Sequence, residues 1–419
     1  MTTSPCAYRR PPTVPMSSRR HSTSPRPSLR QRLRGCADAM SPVAEAMPDA
    51  PPYGHGTLAD VLPSVAACLG VSHYADSLGL ATMLGDARHV VVLLVDGLGW
   101  HQLQAHAELA PHLLEGSAGA LSACFPSTTP VGLGSLGTGR SPGEHGIVGA
   151  SFLLPETGSI LHPLGWADDP HPTAVQPDPT VLEIASAAGV DVASVGPRAF
   201  AQSGLTRAVL RGGHYRGADS VGERIAAVSS PSAGRALTYA YWGDLDKTGH
   251  VHGVDSDAWR EEFRHVDALV WRMRQSLPSG SVLLVTADHG MVDCGDEDRI
   301  DLDALRPLRE GVHRIGGEPR MRHVYARRGA ASEVAATWSE TLSDRAWVLT
   351  REAAVDMGLV GDVEADYAER LGDVLAVAQG RHALVSDQVD AIVSSLRGQH
   401  GSVTPDEMQI PLLALAGGA

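Results

Sequence analysis

Three buried-looking apolar stretches of this 419-residue chain run into acids or imidazoles. His89-Val-Val-Val-Leu-Leu-Val-Asp96-Gly97 is the first. The second begins at Leu237 and reaches Asp244-Leu-Asp246-Lys-Thr-Gly-His250; the third begins at Ser281 and ends in Asp288-His289-Gly290. In an open α/β sheet, ligands bind outside the carboxyl ends of the strands. One such ending reads equally well as a helix N-cap, and a single histidine there as a loop residue. Three together would gather carboxylates and imidazoles on one edge. Carboxylates held close repel and raise one another's pKa, a conflict that divalent cations remove. Asp and His beside an oxygen nucleophile suit zinc, and paired ions in such sites lie about 3.5–4 Å apart.

A fourth stretch supplies the nucleophile. Phe125-Pro-Ser-Thr-Thr129-Pro, then Thr138-Gly139, then His145-Gly-Ile147, resembles the nucleophile segment of the nucleotide pyrophosphatase/phosphodiesterase family of the alkaline phosphatase superfamily, with the family's spacing and no gap. Asp246-x-x-Gly-His250 resembles that family's D-x-x-G-H motif, and Asp288-His-Gly-Met291 its D-H-G-M motif. Gln399-His400-Gly401 followed by Thr404-Pro-Asp-Glu-Met408 resembles its late histidine segment. The resemblance covers roughly residues 88–150, 236–292 and 398–415. It implies one metal held by Asp96, Thr129, Asp288 and His289, and another held by Asp246, His250 and His400. It also implies Thr129 as the nucleophile, with Thr128 and Ser127 as alternatives and Asp244 as an alternative to Asp246.

The chemistry agrees. A threonine hydroxyl is a weak nucleophile at neutral pH and needs a base or a metal. A second ion would then stabilise charge on the phosphoryl oxygens during in-line displacement. The expected activity is cleavage of phosphodiester or pyrophosphate bonds in a small-molecule or nucleotide substrate through a phospho-threonine intermediate, with two divalent ions, zinc or else manganese. Rivals are hydrolysis of a C–P bond as in phosphonoacetate hydrolases, phosphomonoester hydrolysis, and a degenerate relative that only binds ligand. The last would be expected to lack metal ligands, and all seven positions are present. Cys124-Phe-Pro-Ser127 resembles the start of a sulfatase motif, but Thr128 stands where that motif has arginine. A small carboxylated substrate would call for cations such as Arg198, Arg207, Arg211 or Arg216; a diester would call for an apolar platform. His145 reads as shaping a turn, Lys247 as solvated or touching a phosphate, His252 as a loop histidine, and His162, His171, His214, His313 and His323 carry no motif.

Strands alternating with helices must position these residues. Strands are expected at 89–96, 191–196, 237–246, 281–288 and 410–415, with helices at 57–69 and 259–277. This pattern implies an α/β fold with a mostly parallel central sheet, helices on both faces and an inserted cap region. Residues 1–52 read as a disordered tail and 53–419 as the catalytic domain, with inserted segments at about 152–235 and 295–395. Residues 152–180 look irregular. The region 295–395 mixes strands (323–326, 347–349) with helices (332–342, 387–396). Both inserted segments are expected to carry the substrate pocket. Met40 and Met47 are alternative starts.

Composition sets further bounds. The net charge is −14, and the eight arginines and single acid of residues 1–40 leave 26 basic and 47 acidic residues, a net of −21, in the rest. So acidic a body is unsuited to nucleic-acid polymers and compatible with cations. Five scattered cysteines without CxxC spacing imply a reducing compartment. With neither a membrane-spanning apolar run nor a secretory h-region, the expectation is a cytoplasmic protein. Nothing in the sequence specifies an oligomeric state.

Overall fold

The first strand of the central sheet, β1 (His89–Val95), is buried along its whole length. Its β-branched and aliphatic side chains suit a strand covered on both faces. It lies in a seven-stranded sheet with β2 (Ser117–Ser122), β3 (Asp191–Gly196), β4 (His214–Gly217), β5 (Ala236–Trp242), β6 (Ser281–Thr286) and β7 (Gln409–Ala416), in the spatial order β2-β7-β6-β1-β5-β3-β4. This computed structural model describes residues 47–230 and 234–418. β1 runs parallel to β5 and β6, pairing Val95 with Trp242 and Leu94 with Thr286. β3 is parallel to β4 and β5. β7 runs antiparallel to both of its neighbours, β6 and β2. The sheet is therefore mostly parallel, as the alternation implies, with one reversed strand.

That reversal matters for the site. A strand running against the others must be entered at the edge where the others finish. The segment before β7, which carries His400, is thereby delivered to the carboxyl edge of β1, β5 and β6.

Helices α1 (Val61–Cys68), α2 (Thr129–Thr138), α3 (Asp244–His252) and α4 (Asp257–Ser276) follow in chain order, and α2 and α3 carry Thr129 and Asp246. α4 is amphipathic. It buries Trp259, Phe263, Val266, Leu269, Val270 and Met273, and Ser256 caps it by accepting the Trp259 N–H at 3.2 Å. Burying a large apolar side chain contributes roughly 1.5–3 kcal/mol, so this face holds α4 on the sheet. The strand expected over 237–246 stops at Trp242, and Asp244 opens α3 instead. Asp246 and His250 are thus one helical turn apart, on a shared face.

Residues 299–394 contain a second sheet, antiparallel throughout, in the order Val312–Glu318, Met321–Ala326, Val374–Ala378, Ala346–Thr350. With helix Ala331–Leu342 it forms its own apolar cluster around Leu308, Val324, Trp338, Leu342 and Val374. Within 152–180 a short hairpin pairs Phe152–Leu154 with Ser159–Leu161. The described residues belong to one compact unit, Glu45–Ala419. The tail expected over 1–52 lies, through residue 46, outside the described residues. Among the described residues no helix is long and apolar enough to cross a membrane, and Cys68, Cys124 and Cys294 are free thiols.

Candidate metal centre and active site

Strand ends and one helix start set the geometry. Asp96 follows β1 directly, and Gly97 turns the chain with φ +73°. A Cβ on Gly97 would lie 3.0 Å from Asp246 Cα, so glycine is what lets α3 approach Asp96 this closely. Asp288 and His289 follow β6, with Asp288 Oδ1 accepting the Gly97 N–H at 3.3 Å. Thr129 is the first residue of α2. Its Oγ1 lies 3.5 Å from each Asp96 oxygen and 3.2 Å from His289 Nε2. His289 Nε2 is 3.5 Å from Asp96 and 3.7 Å from Asp288.

The other half lies alongside. His250 Nε2 is 3.3 Å from Asp246 Oδ2 and 3.2 Å from His400 Nε2, and His400 Nε2 is 3.8 Å from Asp246 Oδ1. All seven expected positions thus meet at one edge. Ligand atoms of Asp96, Asp288 and His289 lie within 4.8 Å of one another, and so do those of Asp246, His289 and His400. His289 belongs to both groups, whereas the sequence reading placed it in the first alone. Its ring stacks on that of His400 with centroids 3.7 Å apart.

Three hydrogen bonds orient the imidazoles. Nδ1 faces a backbone carbonyl in each: Gly398 at 2.7 Å for His250, Gly290 at 3.0 Å for His289 and Ser127 at 2.9 Å for His400. A carbonyl only accepts, so Nδ1 carries a proton and each ring turns its Nε2 towards the cluster. The carboxylates are equally uncompensated. Asp246 Oδ1 and Asp288 Oδ2 are buried without a hydrogen-bond partner. Burial first, and then the charges of Asp288 and Asp246, push the Asp96 carboxyl well up, although Tyr241 donates to its Oδ2 at 2.5 Å. Burial likewise raises Asp288, and burial with the neighbouring His289 and His250 holds His400 well below the usual imidazole range. Converging carboxylates and imidazole lone pairs repel one another until a cation joins them. This donor set fits divalent metal ions.

The alternatives separate here. Ser127 Oγ donates to the Ser402 carbonyl at 2.6 Å, and Thr128 Oγ1 donates to Glu318 at 3.1 Å. Thr129 lines the neighbouring cavity, and those two do not. Asp244 is exposed, as is His252. His145 is buried behind α2. It accepts the Ile147 N–H at Nδ1 and reaches Ser135 Oγ through Nε2, which fits its expected turn-shaping part.

The cavity beside Thr129 measures about 290 Å³. Asp96, Thr129 and Asp246 form one wall; Leu133, Leu164, Phe200, Leu205, Tyr215 and Tyr241 form apolar and aromatic walls, with Lys247 at the rim of α3. Its walls draw on residues between 96 and 247 and include nothing from 295–395, so of the two segments expected to carry the pocket only the first contributes. The four arginines considered for a carboxylate are engaged elsewhere. Arg198 pairs with Asp219 and Glu223, Arg207 with Asp168 and Arg211 with Glu183, while Arg216 donates to the Ala227 carbonyl. Sequence reasoning missed Phe200, Leu164 and Tyr241. Only Tyr241 left a signal, lying on the strand whose end carries Asp246.

A mostly parallel α/β sheet with an Asp/His cluster and a hydroxyl at a helix start along one edge is the arrangement of a hydrolase of the alkaline phosphatase superfamily. The chain belongs to the type I phosphodiesterase/nucleotide pyrophosphatase family, whose profile matches residues 90–403. A 60-residue stretch is 38% identical to human ectonucleotide pyrophosphatase/phosphodiesterase family member 7, a match spanning only 13% of each protein. The fold is similar to murine ectonucleotide pyrophosphatase/phosphodiesterase 5, solved as an inactive threonine-to-alanine variant in complex with AMP, at TM-score 0.62 and 20% identity over 79% of this chain and 88% of that one. It is also similar to phosphonoacetate hydrolase from Sinorhizobium meliloti 1021 in complex with phosphonoformate, at TM-score 0.61 and 20% identity over 78% and 90%.

Proposed function

We propose that this protein is a two-metal hydrolase of phosphodiester or pyrophosphate bonds that works through a phospho-threonine at Thr129. The observation that carries this reading is the position of Thr129 Oγ1 between the Asp96–His289 cluster and an apolar cavity. Asp96, Asp288 and His289 would hold one ion with Thr129, and Asp246, His250 and His400 the other. When bound, the ions, zinc or manganese, supply the positive charge that activates a hydroxyl and stabilises phosphoryl oxygens.

The chain's own residues do the rest. Thr129 Oγ gives up its proton and bonds phosphorus as the bond to the leaving alcohol or phosphate breaks, the departing oxygen taking up a proton. Water then cleaves Oγ–P and restores the hydroxyl. Thr129 opens α2, and a helix N-terminus is a setting that favours anions. Phe200, Leu164 and Tyr215 offer the second ester group an apolar platform, and Lys247 offers its phosphate a cation. These walls suit a diester or nucleotide better than a small carboxylated phosphonate, since the arginines that would hold a carboxylate are paired elsewhere. A panel of diesters, dinucleotides, monoesters and phosphonoacetate, run with zinc and with manganese, tests the proposal. Diesters or dinucleotides should turn over fastest; turnover confined to phosphonoacetate or to monoesters would overturn it.

A further inference from the structure

The hairpin that joins Val312–Glu318 to Met321–Ala326 reaches from the four-stranded sheet to the back of the metal centre. Glu318, at its tip, is 5% exposed. Its Oε2 accepts the Thr128 hydroxyl at 3.1 Å and lies 3.7 Å from His400 Nδ1. Its Oε1 is buried with no partner. A Cβ on Gly401 would come within 2.7 Å of that oxygen, so the residue after His400 leaves room for the carboxylate only as glycine. Two residues along, Arg320 forms a buried ion pair with Glu407 at 2.7 Å, and Glu407 also accepts the Ser402 N–H at 3.0 Å. The hairpin therefore grips the segment 400–407 and touches the residue before Thr129.

We propose that Glu318 is a positioning residue for the His400 half of the centre and for the nucleophile loop. The Ser127 carbonyl accepts the His400 Nδ1–H at 2.9 Å, and the Glu318 carboxyl 3.7 Å from that nitrogen packs behind the ring from the other sheet; losing an outer partner of a ligating histidine typically weakens metal binding 10–100-fold. Through Thr128 the same carboxylate tethers the start of α2. A glutamate that merely filled space would leave Oε1 desolvated without return, since an apolar side chain of that shape would avoid the penalty.

The inference rests on the two-ion reading, and zinc titration of the chelator-stripped full chain separates the two. Wild type should take up two ions; uptake of one or none sinks the two-ion reading itself. Glu318→Gln, which keeps shape and an acceptor for Thr128, should bind the first ion as wild type does and the second 10–100-fold more weakly, with the melting point of the stripped protein unchanged. Wild-type affinity for both ions in Glu318→Gln would overturn the proposal. Should that variant melt markedly lower, Glu318→Asp decides: retention of the second ion supports a role for the charge, and loss equal to that of Gln overturns it.

Discussion

His250 and His400 present their Nε2 atoms to each other across 3.2 Å, while the Nδ1–H of each donates to a backbone carbonyl behind it. Two lone pairs so placed repel, and only a shared cation or an added proton reconciles them. His250→Ala or His400→Ala should therefore lower bound zinc towards one ion per chain, and chelator should inactivate the wild type. Metal analysis finding two ions in either variant would refute this pairing.

Thr129→Ala should reduce turnover of bis-p-nitrophenyl phosphate by at least about 10³-fold while leaving zinc content close to wild type, because the other ligands remain in place. The stripping of one hydroxyl that sits 3.2 Å from His289 should not disturb the fold. Steady-state kinetics beside metal analysis checks both halves, and unchanged turnover removes Thr129 from the chemistry.

The buried acids predict a trade between stability and function. Asp96 and Asp288 have folded pKa values raised above the ordinary value of 3.8, by burial before anything else. A raised carboxylate contributes its stability below the unfolded value and loses it as pH rises through the folded value. The metal-stripped protein should therefore lose this contribution as pH rises above the ordinary value of 3.8. At pH 7 stripped Asp288→Asn should melt above stripped wild type, by roughly 2–4 °C for each kcal/mol of relief, yet retain less zinc. An equal or lower melting point of the stripped variant contradicts this.

His145 predicts the opposite slope. Burial, reinforced by Arg370, pushes its pKa down to about 3. A depressed imidazole keeps its full contribution above the unfolded value near 6.5 and loses it as pH falls towards the folded one. His145→Gln should cost about 1–3 kcal/mol at pH 7 through its lost hydrogen bonds. It should then lose less additional stability than wild type between pH 6.5 and 4, the lower end lying above the folded value. Parallel denaturant midpoints across that range would show that the ring does not titrate as described.

Phe200 is 44% exposed at the cavity wall, with its ring 5.9 Å from that of Tyr241. An aromatic contact is worth about 0.5–1.5 kcal/mol, so Phe200→Ala should raise KM for aryl or nucleoside diesters roughly 3–10-fold and leave KM for a methyl-substituted diester nearly unchanged. An equal rise for both substrates would remove the platform from the account.

The local pattern of the sequence already held the central strands and α4, and the family resemblance named the seven positions that meet at one edge. A six-residue apolar run such as 90–95, rich in valine, suits a strand buried on both faces, and its end at Asp96 marks the edge where ligands collect. Three matters needed the tertiary structure. Hydrophobicity carries no direction, so the reversal of β7, which brings His400 to that edge, was invisible in residues 410–415. Thr128 and Thr129 are the same residue type side by side, and what separates them is that one faces Glu318 and the other Asp96 and His289. Glu318 itself approaches His400 from 82 residues away in sequence through a hairpin of another sheet, a contact set by how two layers pack and not by any local spacing.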